Sequence, residues 1–87
     1  MMMAQVSLYP LAQEDLNPAI EEVWKTFKER GLQYRITPMS TCVWAEEDGR
    51  VFSALEEAFA RARAHGSAVM VMTVTSGGKV KALLEYL

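Results

Sequence analysis

The sequence predicts an α+β domain in which strands and helices follow the order β-α-β-β-α-β, packed as one antiparallel sheet with two helices on one face. Three observations carry this. Segments near 3–9, 32–44 and 67–76 alternate or run apolar at strand period, two segments between them carry apolar stripes at helical period, and Pro10, Gly31, Pro38 and Gly66 separate the pieces.

In the first strand, Met3 to Tyr9, Ala4, Val6 and Leu8 alternate against Gln5, Ser7 and Tyr9, and Pro10 ends the ladder because it has no N–H to donate. Within "DLNPAIEEVWKTFKERG", Asn17 is placed to cap, Pro18 suits the first helical turn, and Ile20, Val23, Trp24 and Phe27 form a core stripe that ends at Gly31. "LQYRITP" then puts Leu32, Tyr34 and Ile36 on one face, and "MSTCVWAEE" after Pro38 is its hairpin partner. From Asp48 to His65, Val51, Phe52, Leu55, Phe59 and Ala62 share a helical stripe, with Arg61, Arg63 and His65 near the end where positive charge suits the helix dipole. "SAVMVMTVTS" is apolar on both faces, as a strand covered on one side by its own helices and on the other by a second subunit would be. Right-handed crossovers turn this order into a ferredoxin-like fold. The domain spans residues 3–76, and residues 77–87 form a tail, a short helix or strand hinged at Gly77 and Gly78.

Composition narrows the function. With 87 residues, half of them hydrophobic, and a net charge of -2, the chain is one soluble domain without the concentrated positive patch that nucleic acid or anionic lipid requires. A neutral or cationic small ligand stays compatible. A chain of this size buries only about 60 to 65% of its unfolded surface, so association of subunits is expected. The opening "MMMAQVSLYPL" has no basic region and its apolar run is interrupted, so it reads as the start of the fold rather than a signal peptide or membrane span. A single cysteine, Cys42, excludes an internal disulfide and points to a reducing, cytoplasmic compartment.

The helix-free face of the sheet is where function is expected. Parity turns Gln5, Ser7 and Tyr9 outward, and with Met39, Thr41 and Val43 as the better core set, Ser40, Cys42 and Trp44 outward as well, continued by Met70 or Met72. Hydroxyls, an aromatic and a soft thiol together suit a flat heteroaromatic ligand. The plainer readings stand beside this: Tyr9 and Trp44 also suit an oligomer interface, and Ser7, Ser40 and Thr41 can satisfy backbone groups at a strand end. Cys42 has no paired histidine, since His65 lies at a helix end, and one thiol without further ligands makes no metal site. "TSGGK" lacks the upstream glycine and following helix of a phosphate loop, and "AEEDGR" solvates a turn before the second helix.

"AQVSLYPL", "GLQYRITPMSTCVWAE", "VFSALEEAF" and "GSAVMVMTVTS", in this order over roughly residues 3–76, resemble the small MTH1187/YkoF-like thiamine-binding proteins. The resemblance implies a homodimer or tetramer assembled through its sheets that binds thiamine or its hydroxymethylpyrimidine part, without a reaction of its own and without a cofactor. Ser7, Tyr9 and Pro10 match the first motif, and Thr37, Met39, Ser40 and Thr41 the central one. Relatives carry a glycine and then an acidic residue shortly after the Ser-Thr pair. Here Ala45 precedes Glu46, and Trp44 is expected to reshape the pocket.

The expected ligand-binding set is therefore Ser7, Tyr9, Thr37, Met39, Ser40, Thr41 and Trp44, on the open sheet face, with Glu46 or Glu47 available to a thiazolium cation. No catalytic or metal residue is expected. Two other classes compete: a structural oligomer whose open face is filled by its partner, and a small enzyme relying on Tyr9, Cys42 or Glu46 for acid-base chemistry.

Overall fold

The computed structural model describes residues 1–76 and 78–86. Strand β1 (Met2–Pro10) leads through a loop to helix α1 (Asn17–Glu29). Strands β2 (Gln33–Ile36) and β3 (Thr41–Ala45) follow as a hairpin, then helix α2 (Asp48–Arg63) and strand β4 (Ala68–Ser76). The tail forms a short helix, α3 (Lys79–Leu83), and a 3₁₀ turn (Leu84–Tyr86). Gly78 precedes α3, and its Val80 is buried against the domain. Gly77, the other half of the expected hinge, and the final Leu87 lie outside the described residues.

The sheet order is β2-β3-β1-β4 with every neighbouring pair antiparallel, the ferredoxin-like arrangement. Register assigns the faces. Ala4 lies opposite Val43 and Val74, and Val6 opposite Thr41 and Met72, so this set faces the helices. There Met2, Ala4, Val6 and Val43 pack with Val23 and Phe27 of α1 and with Val51 and Leu55 of α2 in one core. Gln5, Ser7, Tyr9, Cys42 and Trp44 lie on the other face, as parity predicts.

Several local expectations shift. Asn17 does not cap α1; it is the first helical residue, the N-cap position is Leu16, which has no side-chain capping bond, and the Asn17 N–H donates to Asp15 Oδ1 at 3.0 Å. Gly31 closes the α1–β2 turn at φ 69°, a left-handed conformation that favours glycine. In α2 the buried stripe is built from small residues, Ala54, Ala58 and Ala62 with Val51 and Leu55. Alanines let α2 lie close to the sheet and to α1, which displaces Phe52 and Phe59 toward β4. Met70 and Met72 also turn to that side because they oppose Leu8 and Val6, so neither continues the open face. β4 itself is a sheet edge, with Val69, Val71, Met72 and Val74 exposed in the single chain.

Arg61 is drawn away from the helix end into the α1–α2 seam, where its guanidinium meets Glu22 at 2.9 Å and Glu29 at 2.7 Å. The hydrogen bond from Arg61 holds the Glu22 carboxyl below its ordinary range, against the opposing effect of partial burial. Among the described residues no helix is long and apolar enough to cross a membrane.

Candidate functional site

The central strand β1 loses one neighbour before it ends. Pairing with β3 stops at Val6 opposite Thr41, whereas pairing with β4 continues to Pro10 opposite Ala68. Alternate residues of a strand direct their N–H and C=O to opposite edges. Along Ser7 to Pro10, therefore, backbone polar groups face a gap that β3 has left. The β2–β3 loop crosses one side of this gap and the first turns of α1 stand over the other, enclosing a cleft of about 360 Å³. That is within the range of small-molecule sites.

The helix wall consists of Asn17, Ile20, Val23 and Trp24. Trp24 is half-buried, and its indole Nε1–H donates to Thr41 Oγ1 at 2.9 Å, which ties α1 to the first residue of β3. Tryptophan at this place supplies both a flat apolar wall and the partner that the buried Thr41 hydroxyl needs.

The loop wall is held by one side chain. Thr37 N–H and Thr37 Oγ1 both donate to the Ser40 carbonyl, at 2.8 and 2.9 Å, while Thr37 Oγ1 accepts from Ser40 N–H at 3.0 Å and from Met39 N–H at 3.4 Å. This is a threonine turn, closed by bonds within residues 37–40. Two contacts tie it to β1: Ser7 Oγ donates to the Met39 carbonyl at 3.3 Å, and Gln5 Nε2 donates to Ser40 Oγ at 3.0 Å.

Six of the seven residues expected from sequence, Ser7, Tyr9, Thr37, Met39, Ser40 and Thr41, line this one cleft. Their position differs from the expected open face, because the cleft lies at the strand ends and opens between sheet and helix. Thr41 points to the helix side, opposite Val6, as its place in the core set predicts, whereas Met39 of that set is 87% exposed. Trp44 is the residue the structure separates from the group. It has the outward orientation expected, but it opposes Met3, four residues back along β1 from Ser7. At about 3.4 Å per residue that is roughly 13 Å. Trp44 lines a different depression, with Gln33, Glu46 and Arg50. Ala45, where the motif departs from its relatives, lies at that same far end opposite Met2, and so do the acidic residues expected to meet a cation.

The α1 residues Ile20, Val23 and Trp24 were readable from sequence as a helical stripe and nothing more. The signal for Trp24 was its N–H, a donor that a wholly apolar core would leave unpaired.

No Asp, Glu, Lys, Arg or His is among the residues that line the cleft. The ion pairs among the described residues connect α1 with α2 or lie within them: Glu22, Glu29 and Glu57 with Arg61, Arg30 with Glu57, and Lys25 with Glu22. His65 belongs to this seam, 3.7 Å from Glu22, and Cys42 is buried on the opposite side of the sheet beside Gln5 and Arg35. Among the described residues no group of three or more His, Cys, Asp or Glu is placed to hold a metal ion.

Comparison with solved structures gives close likeness at low identity. A protein of Streptococcus pneumoniae superposes with a TM-score of 0.84 at 18% identity, covering 97% of each chain. One from Methanocaldococcus jannaschii gives 0.82 at 16%, covering 98% of this chain and 94% of the other. A proposed thiamine biosynthesis/salvage protein of Thermotoga maritima gives 0.79 at 16%, covering 99% and 98%. Likeness at this identity establishes the shared fold. Curated protein sequences yield no match. The model of the YKOF-related family, however, matches residues 1–78, nearly the whole chain and all of the cleft, and the chain therefore belongs to the YkoF-related family.

Proposed function

We propose that this chain binds thiamine, or its hydroxymethylpyrimidine part, in the cleft at the end of β1, and releases it unchanged in the service of salvage, transport or sensing. The observation that carries the reading is the lining: an uncharged cleft of about 360 Å³ that offers aromatic surface on Trp24 and Tyr9, hydroxyls on Ser7 and Ser40, and the bare edge of β1. An aminopyrimidine has ring-nitrogen acceptors and an amino donor, which hydroxyls and backbone groups match, and a flat ring that stacks on an aromatic side chain. Family membership and the thiamine-related role proposed for the Thermotoga neighbour support the same ligand class.

For a thiazolium cation the favourable partner is the face of Tyr9, 54% exposed at the cleft, in place of the distant Glu46 and Glu47. Binding without turnover agrees with a lining whose only ionisable side chain is Tyr9, with no carboxylate or imidazole to act as general acid or base.

The protein acts as a homodimer or tetramer in a reducing, cytoplasmic setting. The long β4 edge supports association, because nine residues of strand with exposed valines invite pairing with another chain. That same edge is what favours the second reading, an oligomer whose open face is occupied by its partner and takes no ligand.

Calorimetric titration and thermal shift with thiamine, its phosphates and the free pyrimidine, together with the mass in solution, decide between them. Saturable binding in the micromolar range by thiamine or the pyrimidine is expected. A stable oligomer that gives neither heat nor shift at millimolar ligand overturns the proposal in favour of the second reading.

A further inference from the structure

The hydrogen bonds around the cleft favour one hydroxyl as proton donor and another as acceptor, and a residue that biases this lies outside the cleft. Thr37 Oγ1 is saturated: its proton goes to the Ser40 carbonyl, and its lone pairs receive Ser40 N–H and Met39 N–H. Ser40 Oγ lies 3.1 Å away in a contact that either hydroxyl could donate, but with these three partners Thr37 Oγ1 does not require the Ser40 proton. On its other side Ser40 Oγ already accepts an N–H from Gln5 at 3.0 Å, so its own proton cannot go to Gln5 and is left for the cleft. Ser7 is the reverse. Its proton is committed to the Met39 carbonyl, which leaves the oxygen lone pairs free.

From this we infer that Gln5 is a positioning residue for ligand recognition: through Ser40 it presents a donor in the cleft that the Ser7 acceptor also lines, a pattern that selects an exocyclic amine next to an unprotonated ring nitrogen. The inference rests on the proposed function and sharpens it. An aminopyrimidine edge fits in the orientation its other substituents impose. The corresponding oxo compound, with a carbonyl and a ring N–H in those places, meets donor with donor and acceptor with acceptor. Gln5 is on the exposed sheet face and absent from the cleft lining, so it contributes by orienting Ser40 and not by touching ligand.

The test is a titration of hydroxymethyl-aminopyrimidine and its oxo analogue against the unaltered chain, Gln5→Glu, Gln5→Met, Ser40→Ala and the Gln5→Met/Ser40→Ala double variant. The unaltered chain is expected to favour the amino compound by about tenfold or more, the worth of one to two hydrogen bonds. Glu at position 5 accepts the Ser40 proton and turns Ser40 into an acceptor, so the amino compound should weaken by about tenfold and the preference should shrink or invert. Met at position 5 should cost only about two- to fivefold, and nothing further once Ser40 is Ala. Thermal stability should not change, because position 5 is exposed.

Glu at position 5 with unaltered selectivity, or losses from Gln5→Met and Ser40→Ala that multiply, overturn the inference while leaving the binding function intact. Failure of the unaltered chain to bind either compound overturns the functional proposal instead. If the Glu variant does not fold, the Met and Ala cycle decides alone.

Discussion

The two ends of β1 are held differently, and the difference creates the candidate cleft. At the Met2 end the strand has a neighbour on both sides, Ala45 of β3 and Ser76 of β4. At the Tyr9 end only β4 accompanies it, and α1 with the Thr37–Ser40 turn closes the space that β3 leaves. Surroundings differ as well. The Met2 end has charge close by, in Glu46, Arg50 and Lys81, while the Tyr9 end is lined by hydroxyls, aromatics and aliphatics. A strand with one neighbour withdrawn keeps polar backbone unpaired, and a fold retains such a place only where something else satisfies it. Charge at one end and its absence at the other then separate a solvated rim from a cleft suited to a flat, weakly polar ring.

The largest effect that sharpens this contrast is expected at Trp24. Phe in its place keeps most of the apolar wall and removes the N–H, leaving the Thr41 hydroxyl, 6% exposed, without its donor. An unsatisfied group of this kind costs about 1 to 2 kcal/mol. For a domain of this size that lowers Tm by roughly 5 to 15 °C. Affinity for the pyrimidine should fall by about five- to twentyfold as α1 loses its tie to β3. Denaturant melts and titration of the Trp24→Phe chain measure both. Unchanged stability together with unchanged affinity would remove α1 from the site.

How much of this could be read beforehand follows from what each pattern encodes. Prolines and glycines at 10, 31, 38 and 66 punctuate the chain, and periods of two and 3.6 between them give element order. Parity also gave the correct face for Gln5, Ser7, Tyr9, Cys42 and Trp44. Parity says nothing about distance along a strand, however, and so it gave the face of Trp44 without showing that Trp44 lies opposite Met3, at the other end of β1 from Tyr9. The cleft exists because β3 stops at Thr41 while β4 runs on, and pairing length is a property of two chain segments together, invisible in either. Trp24 was hidden for a related reason. A helical stripe marks residues that leave water, and it does not tell a core neighbour from the wall of a cleft.

The next effect in size comes from acid. The Glu22 carboxyl is held below its ordinary value of 4.5 chiefly by the hydrogen bond from Arg61. A carboxyl with a depressed folded-state pKa contributes stability that is complete above its unfolded value and is lost as pH falls through the folded one. Stability is thus expected to decline as pH falls below about 4.5, where the Glu22 carboxyl begins to take up a proton and the α1–α2 seam weakens. Arg61→Met should flatten that part of the curve in urea melts between pH 3 and 7. A curve of the same slope in the variant would show that Glu22 does not report the seam. Because the cleft lining has no carboxylate, Arg61→Met should leave ligand affinity at neutral pH within about twofold, which separates the charged seam from the uncharged site.

Trp44→Ala is the smallest expected effect and the sharpest test of the contrast between ends. The indole lies on the open face with Met3 and Gln33 as its cross-strand neighbours. Cross-strand pairs of this kind contribute about 0.2 to 1 kcal/mol each, so a Tm loss of only a few degrees is expected. Ligand affinity should stay within about twofold, because roughly 13 Å of strand separates Trp44 from Ser7. Titration of Trp44→Ala beside Ser40→Ala measures the comparison directly. Loss of binding in the Trp44 variant with retention in the Ser40 variant would move the site onto the open sheet face, and with it the acidic residues near Glu46 would regain a role toward a cationic ligand. Retention in the first and loss in the second fixes the site where β1 has only one neighbour.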